Sequence, residues 1–215
     1  MAKKKYTVID LFAGCGGLSL GLYQAGWEGL FAIEKNAFAF ETLKYNLIDN
    51  KKHFNWPQWL PKTEHDINEV LEKYQEQLKG LRGKVGLVAG GPPCQGFSMA
   101  NRQRIIDDPR NQLYKAYLVF LKHVRPKFFI MENVKGMAAK IDEIKQDFKE
   151  YLGDEYQFDY ELLKAQDYGV PQNRERLIFL GNRIGIEPRL IFDEIHKLER
   201  PTFVLRDALY GLPQL

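Results

Sequence analysis

Five short apolar runs alternate with helix-length segments along this chain, and that alternation leaves few folds open. The runs are 6–12 (YTVIDLF), 29–34 (GLFAIE), 84–90 (KVGLVAG), 127–132 (KFFIME) and 176–181 (RLIFLG). Helical patterns occupy 17–26, 36–47, 67–79, 111–124 and 140–152. Strands separated by helices predict an α/β domain, with a mostly parallel sheet, right-handed crossovers and helices on both faces. Asn36 stands where the second helix should begin, and its side chain suits an N-cap. Open sheets of this kind bind ligands at the carboxyl ends of their strands. Residues 49–63 break the pattern and carry two of the three tryptophans. They are expected to form a packed surface excursion.

The first turn has the composition of a cofactor cradle. Gly14, Gly16 and Gly17 follow the first strand directly. Such glycines let backbone approach a ligand, and the helix start beyond them offers amide donors to negative charge. A nicotinamide fingerprint would need glycine at 19, where this chain has Ser19. Glu34 closes the second run, placed to accept from two ribose hydroxyls. Asp66 precedes Ile67 at a helix start, where it could take an adenine amino group with the isoleucine against the ring. A plain N-cap explains Asp66 equally well.

The stretch GGPPCQGFS (90–98) is neither strand nor helix. Its prolines fix φ and remove amide donors, while its glycines loosen the chain. The result is a shaped loop that presents the thiol of Cys94 at the sheet's carboxyl edge. A thiol attacks as the thiolate, so it needs a partner for its proton. Cys15, inside the first turn, is expected to be an ordinary small buried residue. Glu132 ends the fourth run abruptly, at the mouth of the same site. A carboxyl group half withdrawn from water there is suited to hold a proton and pass it to a ring nitrogen. Gln172, Arg174 and Arg176 alternate along an extended stretch and should share one face. Arginine's fixed fork suits a carbonyl, carboxylate or phosphate.

In this order, the stretches DLFAGCGGLSLGL, GGPPCQGFS, MENVKGM and DYGVPQNRERLIFLG resemble the DNA cytosine-5 methyltransferases. They run from residue 9 to 181, most of the chain. The resemblance implies a Rossmann-like fold that uses S-adenosylmethionine. It implies that Cys94 adds to C6 of cytosine, that Glu132 holds or protonates N3, that Arg176 donates to the carbonyl oxygen, and that Arg174 positions the thiol loop or a phosphate. Cofactor residues carried over are Phe12, Gly14, Gly16, Glu34, Asp66, Ile67, Pro93 and Leu113. Ser98, Arg102, Arg110 and Gln172 are the candidates for DNA contact, on a duplex whose target base is flipped out. No metal site is expected. One position departs from the family pattern: Lys35 stands where an aromatic or aliphatic side chain often covers the adenine.

The remaining composition narrows the setting. Lys plus Arg number 31 against 28 acids, a net charge of +3 that permits nucleic acid binding without demanding it. The basic start MAKKKYTVIDLFAG is interrupted by Asp10 and glycine, so no signal peptide or membrane span is expected, and two cysteines make no disulfide framework. These features predict a cytoplasmic protein. Residues 1–185 are expected to form the catalytic domain, and 186–215 the lead-in to a target-recognition domain. The resemblance then implies the catalytic half of a split methyltransferase of the restriction-modification type, or a truncated one, with a second polypeptide bringing sequence recognition and the last cofactor helix. Two other readings stay open: a relative that methylates tRNA, and an inactive scaffold that binds cofactor or a partner. A nicotinamide oxidoreductase would explain neither Cys94 nor Glu132.

Overall fold

The computed structural model describes residues 6–93, 112–201 and 203–212. Cys94, the expected nucleophile, and Ser98, Arg102 and Arg110, expected to contact DNA, lie outside these residues. Six strands make one sheet in the order β2-β1-β3-β4-β6-β5. These are β1 (Thr7–Leu11), β2 (Glu28–Ile33), β3 (Leu87–Gly90), β4 (Phe128–Val134), β5 (Gln157–Lys164) and β6 (Glu175–Asn182). β2, β1, β3 and β4 pair in parallel, as the alternation predicts. β6 is antiparallel to both β4 and β5, so the sheet is mixed but mostly parallel, as expected. An apolar run specifies burial but carries no mark of direction.

Residues of β1 alternate between two layers. Ile9 and Leu11 belong to the main core, with Phe120, Leu121 and Val124 of α5 (Gln112–Val124) and Phe148 of α6 (Ile141–Leu152). Val8 faces the other way, against Leu22 of α1 (Gly17–Gln24), together with Leu87 and Ala89. Tyr117 crosses the core and donates to two carbonyls, Val88 O at 3.2 Å and Ile130 O at 2.9 Å, bracing β3 to β4. The segment after α2 (Ala37–Leu43) winds as a π-helix over Lys44–Asn50. This keeps Leu43 and Leu47 against Gly16, where an added Cβ would lie 2.8 Å from Leu47. Packing therefore requires a glycine there, as does its φ of 91°.

Several boundaries differ from the sequence reading. The helix expected over 67–79 is two helices, α3 (Ile67–Lys73) and α4 (Gln75–Gly80). They break at Tyr74, whose ring packs on Trp59 with centroids 5.4 Å apart. β4 continues two residues past the expected end, so Glu132 lies within a strand. β5 is an added edge strand with charged residues in it, a common protection for exposed edges. α7 (Pro188–His196) is a further helix; it starts with proline in its first turn and buries Phe192. It packs on β5 and β6, just beyond the boundary drawn at 185. α8 (Leu205–Leu209) is short and has no buried residue. The excursion at 49–63 is packed: Phe54 bridges to Gly29 of β2, and Trp56 and Trp59 pack edge-on against Phe31. Among the described residues no helix is long and apolar enough to cross a membrane.

One buried acid ties the sheet to the first helix. Asp10 of β1 is 1% exposed and accepts from the Ser19 hydroxyl at 2.5 Å. Its other oxygen has no hydrogen-bond partner among the described residues. Burial, offset in part by the bonds from Ser19, pushes the Asp10 carboxyl up to about 7. A raised carboxyl favours the folded state while protonated, so this stabilisation is present below the unfolded value and is lost as pH rises towards 7. The expected loss is on the order of 4 kcal/mol. Asp10→Asn should flatten this dependence: the excess of its melting temperature over that of wild type should be larger at pH 8 than at pH 5. A difference that does not change with pH contradicts the assignment.

Candidate active site

The site is assembled where β4 and β6 pass each other. Glu132 lies opposite Ile178, and Val134 opposite Arg176. Side chains two residues apart on a strand share a face, so Glu132, Val134, Arg176 and Ile178 project together. Glu132 Oε1 lies 2.7 Å from Arg176 Nε and 3.5 Å from an Nη of Arg174. The shared face expected for Arg174 and Arg176 is thus present. Gln172 does not continue it. Successive bonds from Gln172 N to Val170 O and from Arg174 N to Gln172 O curl the chain before β6 begins.

The loop after β3 is fixed against this cluster. Asn133 points to the opposite face from Glu132, is 3% exposed, and donates from Nδ2 to Pro92 O at 3.1 Å. A Cβ on Gly91 would stand 3.0 Å from Glu132 Oε2, so the acid and the loop backbone already touch. A Cβ on Gly90 would stand 2.6 Å from Leu11 O. The two glycines have different tasks. Gly90 lets β3 lie beside β1, and Gly91 leaves room for the carboxylate. The sequence reading missed Asn133 as a tether, although its place next to Glu132 in the MENV run was a signal.

A cavity of about 320 Å³ adjoins this cluster and shares Gly91 and Pro93 with the loop. Phe12, Ile33, Ile67 and Leu113 give it apolar walls, and Glu34, Lys35, His65 and Asp66 give it a polar edge. Glu34 is aimed by backbone amides: Gly14 N donates to Oε2 at 2.8 Å and Asn36 N to Oε1 at 2.7 Å. Each carboxylate oxygen keeps a free lone pair for a further donor. Asp66 caps α3, with Oδ1 accepting from Asn68 N at 2.8 Å. Burial opposes the charge on Asp66, but bonds from Lys35 and Asn68 hold its carboxyl below the usual range. Phe12 and Gly14 adopt φ of 58° and 55°, which turns the chain sharply out of β1. An apolar slot with two aimed carboxylates fits a nucleoside, with the base between the walls and hydroxyl and amino donors at the acids.

Of the predicted residues, Phe12, Glu34, Asp66, Ile67, Pro93 and Leu113 line this cavity, while Glu132, Arg174 and Arg176 form the adjoining cluster. Gly14 and Gly16 shape the turn and do not line the cavity. Cys15 is exposed, against the expectation that it would be buried. The positive φ of its glycine neighbours turns the backbone outward there. Ile33 and His65 were missed as lining residues; neither follows a recognisable motif.

The family model for C-5 cytosine-specific DNA methylase matches residues 6–208. The Type II methyltransferase M.AquIA of Picosynechococcus sp. is 37% identical over 190 residues, covering 83% of this chain and 72% of that protein. The Type II methyltransferase M.DdeI of Desulfomicrobium norvegicum is 37% identical, covering 96% of this chain but 48% of its own length. A crystal structure assigned as a DNA modification methyltransferase encoded within an E. coli prophage superposes with a TM-score of 0.74 at 32% identity. It covers 98% of this chain and 56% of that one, which agrees with a Rossmann-like methyltransferase fold.

The glycine pair gives a stability test. Gly90→Ala forces a methyl group against the backbone of β1 and should cost about 1–3 kcal/mol in denaturant unfolding. Gly91→Ala crowds the end of the Glu132 side chain and meets the Glu132 backbone oxygen at an ordinary 3.7 Å, and should cost less than about 1 kcal/mol. Equal costs would contradict the assigned contacts.

Proposed function

This chain belongs to the C-5 cytosine-specific DNA methylase family, and on that premise we propose that it methylates C5 of a cytosine flipped out of duplex DNA. The observation that carries the reading is the Glu132–Arg176 pair fixed against the loop at 91–93, with a cavity that fits a nucleoside lined in part by the same loop. Glu34, Asp66 and the apolar walls would hold S-adenosylmethionine, which when bound would supply an electrophilic methyl group.

The chain's own residues then have distinct tasks. Cytosine C5 is a poor nucleophile until C6 is attacked. Cys94, directly after Pro93 in sequence, gives its sulfur electron pair to C6, and the ring's electrons move towards N3 and the carbonyl oxygen. Glu132 hydrogen-bonds or protonates N3, and Arg176 donates to the carbonyl oxygen, so both meet the charge as it develops. Arg174 keeps the carboxylate aimed. With the methyl group on C5, a base removes the C5 proton and the electrons expel the Cys94 thiolate, restoring the ring. Arg102, Arg110 and Ser98 are assigned to phosphates, and Gln172 to the same DNA surface. Taking the base out of the stack costs a few kcal/mol, which the backbone contacts must offset.

Sequence recognition is assigned to a further segment or a second polypeptide. The chain spans about half the length of M.DdeI and of the prophage structure. Phe203, Leu205, Leu209, Tyr210 and Leu212 are exposed, an apolar stretch that such an element could cover.

Duplex DNA carrying 5-fluorocytosine cannot lose its C5 substituent as a proton, so the adduct should persist. Wild-type enzyme should give a denaturation-resistant complex with it, and Cys94→Ser should give none. Trapping by the serine variant contradicts the role of Cys94. Glu132→Gln should lower kcat about 10²- to 10⁴-fold. Adding a polypeptide that carries the recognition element should raise specific methyl transfer, whereas full site-specific activity of the chain alone contradicts that assignment.

A further inference from the structure

The nucleoside cavity contains an ion pair that nothing in the fold requires. Lys35 Nζ lies 2.6 Å from Asp66 Oδ2, joining two neighbouring residues on the polar edge of the cavity. Their backbones are held at a fixed spacing, because His65 N donates to Glu34 O at 2.7 Å. The two partners differ in freedom. The Asp66 side chain is 16% exposed and anchored as the cap of α3, whereas the Lys35 side chain is 78% exposed and free to swing.

The oxygens of Asp66 are already divided. Oδ1 accepts from Asn68 N at 2.8 Å and Asn68 Nδ2 at 3.1 Å, and Oδ2 takes Lys35. An exocyclic amino group entering the cavity needs an acceptor, and Oδ2 is the oxygen not used by the helix cap. The lysine holds one of its two lone pairs, so an entering amino group competes with the ammonium for this oxygen. Glu69, in the first turn of α3, also attracts the Lys35 ammonium and offers it another counter-ion.

We propose that Lys35 is an ionic latch on the polar edge of the nucleoside cavity, holding Asp66 until the amino group of an adenine displaces it. This rests on the reading of the cavity as an adenosine site. Opening the latch lowers affinity by the strength of one exposed ion pair. Such a pair weakens as salt screens it, so a neutral nucleoside should bind more tightly as ionic strength rises. Binding to the acids by a cationic ligand alone would show the opposite trend.

The test is calorimetric titration with adenosine, a probe without net charge, at about 0.05 M and about 0.5 M NaCl. Wild type should gain roughly two- to fivefold in affinity between the two conditions, the range of an exposed pair. Lys35→Met keeps a long apolar stem over the ring but has no charge. It should bind at low salt as tightly as wild type does at high salt, and should change little between them. The latch is overturned if the variant binds more weakly than wild type at low salt, or if both proteins share one salt dependence. If wild type binds no adenosine at either salt concentration, the nucleoside reading fails along with the latch, and wild type alone reveals that outcome.

Discussion

Arg176 reaches Glu132 because β6 runs against its neighbours. The parallel strands β1, β3 and β4 deliver their carboxyl ends to one rim. A parallel β6 would have brought Asn182 to that rim and carried Arg176 to the far edge. Reversal places the first residues of β6 beside the last residues of β4, and Arg176 pairs in register with Val134. Two guanidinium groups then converge on one carboxylate without any long loop. A short ion pair between strands is geometrically defined in a way a surface pair is not, because both backbones are fixed by the ladder.

The rest of the site follows from what lies on either side of that pair. Asn133 uses the alternation of β4 to hold Pro92 from the opposite face while Glu132 occupies its own. The loop at 91–93 is therefore positioned by the same two residues that carry the acid. Beyond it, the first turn depends on backbone amides to aim Glu34, and on Gly16 to let α1 approach Leu43 and Leu47. The bond from Ser19 to Asp10 joins that helix to the sheet beneath it. The Glu132 cluster and the cavity meet at one loop, through Gly91, and such closeness is what a group transfer between two bound molecules needs.

Much of this was legible in the sequence, and the reasons are local. Runs of Val, Ile and Phe show buried strands, and Asn36 and Asp66 cap the helices where their positions predicted. The features that were not legible are relations across distance or direction. Nothing in RLIFLG distinguishes a parallel from an antiparallel strand. The edge strand QFDYELLK mixes charges into its apolar pattern because one side of it meets water, so it did not read as a strand. Tyr74 breaks a helix that its own periodicity would continue, because its ring packs on Trp59. The pairings of Lys35 with Asp66 and of Asn133 with Pro92 join residues 31 and 41 positions apart, which local patterns do not report.

The central claim is that this rim carries a methyl group to carbon 5 of cytosine. The most direct measurement is nucleoside analysis, by mass spectrometry, of duplex DNA treated with the complete enzyme and S-adenosylmethionine carrying a deuterated methyl group. The label should appear in 5-methyl-2′-deoxycytidine, and Arg176→Ala should abolish most of it while the protein stays folded. Label on an exocyclic nitrogen of cytosine or adenine, or transfer unaffected by loss of Arg176, would contradict the account.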